Sequence, residues 1–195
     1  MIIFSMKILC ETSMRHMHIS ESDFIAIFGA KEKMNIVKEL SQPGQYLSDK
    51  RVTITGPKKS IENVAVLGPF REKTQVEVSR TDAFTLGINP PVRKSGDLVG
   101  APKLKINDKI EVPAIIAQRH IHMNEEEAAE LGLVERQLVS IKIDGVRGGV
   151  LNNVIACIDK SFALACHLDT DECNAMGNPK FVEVINEKGK PILMK

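Results

Sequence analysis

The heptapeptide Arg15-His16-Met17-His18-Ile19-Ser20-Glu21 returns later in the chain as Arg119-His120-Ile121-His122-Met123-Asn124-Glu125. Each copy runs into a helix-like stretch that ends in glycine. In the first, Ser20 is a natural N-cap with Asp23 three residues on, followed by Phe24, Ile25, Ile27 and Phe28 before Gly29. In the second, Asn124 and Glu127 form a capping-box pattern ahead of Ala128, Ala129, Leu131 and Gly132. The match continues downstream. Glu77 lies fourteen residues after Asn63, His167 fourteen after Asn153, and ten residues further on each copy reaches a glycine, Gly87 and Gly177. A duplicated unit explains all of these offsets at once and restricts the fold to two related small bodies.

The rest of each copy reads mainly as β. Short apolar or alternating runs occur at Arg51–Thr55, Asn63–Leu67, Thr74–Ser79, Leu138–Ile143, Gly149–Ala156 and Phe181–Ile185. Gly56-Pro57, Gly68-Pro69, Asp144-Gly145 and Gly148-Gly149 punctuate them as turns. Short helices are predicted at Asp82–Leu86 and Asp171–Met176. The segment from Pro90-Pro91 to Gly100-Ala101-Pro102 is rich in Gly, Pro and polar residues and marks the boundary between repeats, 1–100 and 101–195. The expected fold is mainly β with short helices: two related small β-barrels capped by helices. Each copy alone would bury only a modest core, so an exchange of strands between the halves is compatible with the pattern.

Charge and composition narrow the function. With 26 Lys+Arg against 25 Asp+Glu the chain carries no basic footprint for nucleic acid. Trp is absent and aromatics are 4%, which leaves little for stacking on single strands. No apolar run approaches the ~20 residues that span a bilayer. The N-terminal Met1–Cys10 segment has Lys7 inside it and no small-residue cleavage site, and reads as a strand. Cys10, Cys157, Cys166 and Cys173 show no Cys-x-x-Cys spacing, which points to a reducing cytoplasm.

All five histidines belong to the repeat. On a strand, residues i and i+2 project from one face, so His16 and His18 point together, as do His120 and His122. The repeat then offers a third ligand at the matched position of each half. This gives His16, His18 and Glu77 for one cation, and His120, His122 and His167 for another. Three imidazole or carboxylate ligands with one open position is the pattern of a catalytic zinc site. Gln75, two residues before Glu77, is placed to orient its carboxylate. Cys166 should face away from His167 into the core.

Several longer motifs carry a resemblance. They are Gly68-Pro69-Phe70-Arg71-Glu72-Lys73-Thr74-Gln75-Val76-Glu77-Val78-Ser79, the paired Arg-His-x-His motifs, and Leu40-Ser41-Gln42-Pro43-Gly44-Gln45. Pro91-Val92-Arg93-Lys94-Ser95-Gly96-Asp97-Leu98 and His167-Leu168-Asp169-Thr170-Asp171-Glu172 complete the set. In their order along the chain they resemble the propanediol-utilisation-type phosphate acyltransferases, the phosphate propanoyltransferases. The resemblance implies transfer of a short acyl group, propanoyl or acetyl, between coenzyme A and inorganic phosphate, giving an acyl phosphate.

The resemblance also implies two zinc ions per chain between duplicated barrels, held by the same two sets of ligands. It assigns phosphate binding to Arg71 as the catalytic cation. Coenzyme A contacts map to Glu11, Thr12 and Ser13, to Lys58 and to Asn174. Related sequences often carry arginine where this chain has Ala65, which leaves Lys58 or Lys59 to supply a cation to the nucleotide. Members packaged in bacterial microcompartments carry an N-terminal encapsulation extension, and the first motif here begins only about ten residues into the chain. A homodimer is compatible with the pattern.

The chemistry expected is direct attack of phosphate on the thioester carbon, aided by the two cations. An acyl-enzyme route would need a nucleophile such as Ser13 or a cysteine, and no base is evidently paired with one. The residues alone leave two alternatives: a zinc-dependent hydrolase of thioesters or phosphoesters, and a non-catalytic metal-binding protein.

Overall fold

A computed structural model describes residues 6–185. It is mainly β, with fourteen strands and four short helices among the described residues. The strand predicted over Met1–Cys10 is present from Lys7; residues 1–5 lie outside the described chain.

The order is β1 (Lys7–Ser13), β2 (His16–His18), α1 (Glu21–Phe28), β3 (Ile36–Glu39), β4 (Tyr46–Thr55), β5 (Ser60–Gly68), β6 (Gln75–Glu77), α2 (Arg80–Leu86), β7 (Val92–Arg93) and β8 (Lys103–Ile106). The second copy follows as β9 (Ile110–Ala117), β10 (His120–Met123), α3 (Glu125–Leu131), β11 (Leu138–Ile143), β12 (Gly149–Ile158), β13 (Ala165–Asp169), α4 (Thr170–Ala175) and β14 (Phe181–Ile185).

Two compact units result. One comprises Met14–Leu40 and Gly44–Gln118. Its strands β4, β5, β2, β6, β9 and β8 pair in a closed ring, with β3 and β7 added at the flanks. The core of this unit is built from Met17, Val52, Ile54, Val64, Val66, Val76, Leu86, Leu104 and Ile106, packed beneath Phe24 and Ile27 of α1.

The other unit comprises described residues 6–13, Ser41–Pro43 and 119–185. Strands β1, β13, β10, β12, β11 and β14 close a second six-stranded barrel. Ile121, Met123, Ile141, Val154, Ala156, Cys166 and Leu168 fill it, and Leu131 of α3 caps it. Closure leaves neither ring an open edge. The two rings repeat each other pair by pair: β2 runs parallel to β5 and antiparallel to β6, as β10 does to β12 and β13.

The exchange of strands anticipated from the sequence is present. β1 precedes the first His-x-His strand but pairs with β13 and β14, while β9 precedes the second and pairs with β6 and β8. The compact units thus draw strands from both sides of residue 100.

The repeated asparagines have a backbone role. Asn63 and Asn153 sit inside β5 and β12 with φ of 57° and 59°, where the register against β4 and β11 shifts. Asparagine is among the few residues that enter this left-handed region readily, so each copy builds its β-bulge on one.

Candidate functional site

β2 lies between β5 and β6, and β10 between β12 and β13, so each His-x-His strand is held on both sides by backbone hydrogen bonds. Register then brings a third candidate ligand to each histidine pair. His16 is the Cα partner of Glu77, and His120 is the Cα partner of His167. Residues directly opposite in an antiparallel pair share a face. Two short strands and one register choice therefore bring each triad together.

In the first group the Nε2 atoms of His16 and His18 are 3.1 Å apart. Glu77 brings Oε2 to 3.5 Å from His16 Nε2 and Oε1 to 3.8 Å from His18 Nε2. His16 Nδ1 donates to the Met14 carbonyl at 2.8 Å, which assigns the ring tautomer and leaves the Nε2 lone pair directed at the cluster. All three side chains are buried, at 7%, 4% and 7% exposure for His16, His18 and Glu77. Burial pushes the His18 imidazole well below its usual range, and His16 and Arg71 add to the effect against the opposing charge of Glu77. His18 is thus neutral, the ligating form.

The second group is more open. The rings of His120, His122 and His167 lie with centroids 4.5–4.9 Å apart. Phe162 stacks on His122 at 4.1 Å. In both groups all three ligand atoms lie within 4.8 Å of one another. Nitrogen and carboxylate oxygen donors at such spacing suit a borderline cation such as Zn²⁺.

A polar network extends from Glu77. Gln75, 1% exposed, donates from Nε2 to Glu77 Oε1 at 2.6 Å and to Ser95 Oγ at 2.7 Å. Its carbonyl oxygen accepts from Gly96 N at 2.8 Å. Arg71 donates from Nη1 to the same Ser95 Oγ at 3.0 Å. Burial lowers the Arg71 pKa and Glu77 partly offsets this, so the guanidinium is a partly desolvated cation beside the ligand cluster.

The implied coenzyme A contacts fall in two places. Glu11, Thr12 and Ser13 lie on β1, where Glu11 is the Cα partner of His167 and Ser13 of Asp169. Glu11 Oε2 accepts from Ser41 Oγ and lies 3.8 Å from His167 Nδ1. Asn174 is in α4, the helix that follows β13. Lys58 belongs to the other unit, its Nζ 4.3 Å above the Phe84 ring and its backbone N–H bonded to Leu86 O. Ala65 is the Cα partner of His16, so a longer side chain at that position would share a face with the first group.

Three residues of this region were not singled out in the sequence. Ser95 joins Arg71 to Gln75, but it sits in the Gly- and Pro-rich segment read as a boundary. Ser41 and Gln42 lie in the Leu40–Gln45 motif. Ser41 reaches Glu11, and buried Gln42 exchanges two hydrogen bonds with the Ala163 backbone, anchoring the loop that carries Phe162.

The four cysteines are buried. The Cys10 thiol is pushed up to about 12, chiefly by its hydrogen bond with Cys166 and by burial, and Cys173 is raised still further. Neither is a ready nucleophile. No described helix is long and apolar enough to cross a membrane.

Comparison with known proteins is consistent along nearly the whole chain. The chain is 47% identical over 174 residues to a phosphate propanoyltransferase of Thermotoga maritima, covering 86% of this chain and 83% of that protein. A phosphate propanoyltransferase of Alkaliphilus metalliredigens is 43% identical over 175 residues, 87% of this chain and 82% of the relative. One of Clostridioides difficile is 42% identical over 175 residues, 87% and 84%. The family profile described as phosphate propanoyltransferase matches residues 9–179, a span that contains both ligand groups and Arg71; the chain belongs to the phosphate propanoyltransferase family.

Proposed function

We propose that this chain interconverts a short-chain acyl-CoA, propanoyl-CoA or acetyl-CoA, and inorganic phosphate with the acyl phosphate and coenzyme A. The observation that carries this reading is the hydrogen-bonded path from Glu77 of the first group through Gln75 and Ser95 to the guanidinium of Arg71. Family membership and the names of the relatives support the same reaction.

His16, His18 and Glu77 would hold one zinc ion, and His120, His122 and His167 a second. Bound zinc supplies Lewis-acid polarisation of the thioester carbonyl and compensation for the charge of phosphate and leaving thiolate. The protein's own residues do the positioning. Arg71 presents a planar fork suited to two phosphate oxygens. Ser95 Oγ already accepts from Arg71 and Gln75, so its O–H is left to donate to the same anion. Gln75 uses both ends of its amide and fixes Glu77 as well as Ser95.

A phosphate oxygen then attacks the acyl carbon, the new C–O bond forms, and the C–S bond breaks with coenzyme A leaving as thiolate. The raised cysteine pKa values argue against an acyl-cysteine step. In this reading Glu11, Thr12 and Ser13 of β1 and Asn174 of α4 are the coenzyme A contacts.

Thiol release from propanoyl-CoA tests the proposal. It is expected only with phosphate present, with acyl phosphate as product. Equal release in phosphate-free buffer, yielding propanoate, would make the protein a hydrolase. No release under either condition, with metal bound, would leave a metal-binding role.

A further inference from the structure

Each His-x-His strand is preceded by an arginine that the proposed chemistry does not use, and the two arginines make the same contact. Arg15 Nε and Nη2 both lie 2.8 Å from Asp82 Oδ1. Arg119 Nε lies 2.8 Å from Glu172 Oε1. The second oxygen of each acid has the same duty in both copies. Asp82 Oδ2 accepts from Ser79 N at 3.2 Å, and Glu172 Oε2 accepts from Asp169 N at 3.1 Å.

These acids are the third residues of α2 and α4, and each closes a reciprocal capping box with its N-cap residue. The N-caps, Ser79 and Asp169, stand two residues after Glu77 and His167. One carboxylate therefore links the residue beside the first histidine to the backbone just past the third ligand. In each copy the connected path runs from the His pair to the arginine, the acid, the cap and the remaining ligand.

We propose that Arg15 and Arg119 are positioning residues, each clamping its His-x-His strand to the strand that supplies the third ligand. The inference rests on the reading of the two groups as metal sites. The contact is the same in both copies although one acid is Asp and the other Glu. The acids are largely enclosed, with side chains 6% and 19% exposed. An ordinary exposed ion pair is worth little and has no bearing on a cation elsewhere. A clamp acts differently: ligands shifted by a fraction of an ångström no longer converge, and outer partners of metal ligands typically govern about 10–100-fold in affinity.

The test uses the full chain and Zn²⁺ alone, in competition with a chromophoric chelator, without acyl substrate. In a His120→Ala background, which leaves the first group as the site measured, Arg15→Gln is expected to weaken zinc binding about 10–100-fold and Arg119→Gln to leave it unchanged. In a His16→Ala background the dependence is expected to reverse. Asp82→Asn and Glu172→Gln keep a side chain able to accept from the N-cap backbone and should reproduce the loss at their own site, which guards against unfolding of the arginine variants.

Wild-type affinity in all four variants, with or without a lowered melting temperature, would overturn the clamp and reduce it to a structural ion pair. Loss at both groups from either arginine alone would also overturn it. Failure of the unsubstituted chain to bind zinc at all would instead remove the metal reading on which the clamp depends.

Discussion

Gln75 Nε2 lies 2.6 Å from Glu77 Oε1, and the two side chains share one face of β6. The amide holds the Glu77 carboxylate beside the two histidines and, through Ser95, joins it to Arg71. Gln75→Ala is expected to weaken zinc binding at the first group about 10–100-fold and to leave the second group intact. Chelator competition on the full chain measures both.

Arg71 should govern phosphate and not the thioester. Arg71→Lys keeps the charge and loses the planar fork, so the KM for phosphate is expected to rise about tenfold or more while the KM for acyl-CoA stays within about twofold. Steady-state rates with each substrate varied in turn provide the check. Equal rises in both KM values would move Arg71 out of the phosphate site.

The buried thiols should be silent in the native state. Cys10 keeps its proton up to about 12, against 9.0 for an unperturbed thiol, so iodoacetamide at pH 8 should leave Cys10 unmodified in the folded chain and alkylate it after unfolding. The sign of the accompanying pH effect follows directly. Between about pH 9 and about pH 12 the folded chain binds more protons at Cys10 than the unfolded chain, so stability falls as pH rises through that window. Denaturant titration across it measures the slope.

The two bulge asparagines give a stability test independent of chemistry. At φ near 57° and 59° a β-branched residue is strained, so Asn63→Val and Asn153→Val are each expected to destabilise the chain by about 1–2 kcal/mol. Asn63→Gly should be close to neutral. Urea midpoints of the three variants decide it.

The same asparagines show what the sequence made legible. Their matched distance to Glu77 and His167 pointed to duplication, because a repeated bulge forces a repeated residue type. His-x-His could be placed on strands by alternation, and the repeat offered Glu77 and His167 as the third members of each group; the register that sets His16 against Glu77 and His120 against His167 is visible only in the structure. Other features were hidden. Ser79 and Asp82 begin α2 through a capping box, and the helix starts at Arg80, two residues before the Asp82 start that the sequence pattern suggests, because the apolar run through Ser79 masks the cap. Strands β8 and β9 fell beside the Gly- and Pro-rich boundary, and their pairing with β4 and β6 is a non-local choice that periodicity does not report. Ser95 has no local signal, since its role arises from Arg71 and Gln75 reaching it from distant positions. Arg15 and Arg119 were visible as part of the motif, yet their acids lie far along the chain and differ in type.

Reconstitution tests the central claim most directly. Chelator-stripped protein, titrated with Zn²⁺, is assayed for phosphate-dependent thiol release from propanoyl-CoA at each addition. Activity is expected to be absent without metal and to reach its plateau at two equivalents per chain. Full activity in the stripped protein, or a plateau at one equivalent, would contradict a reaction that needs both ligand groups.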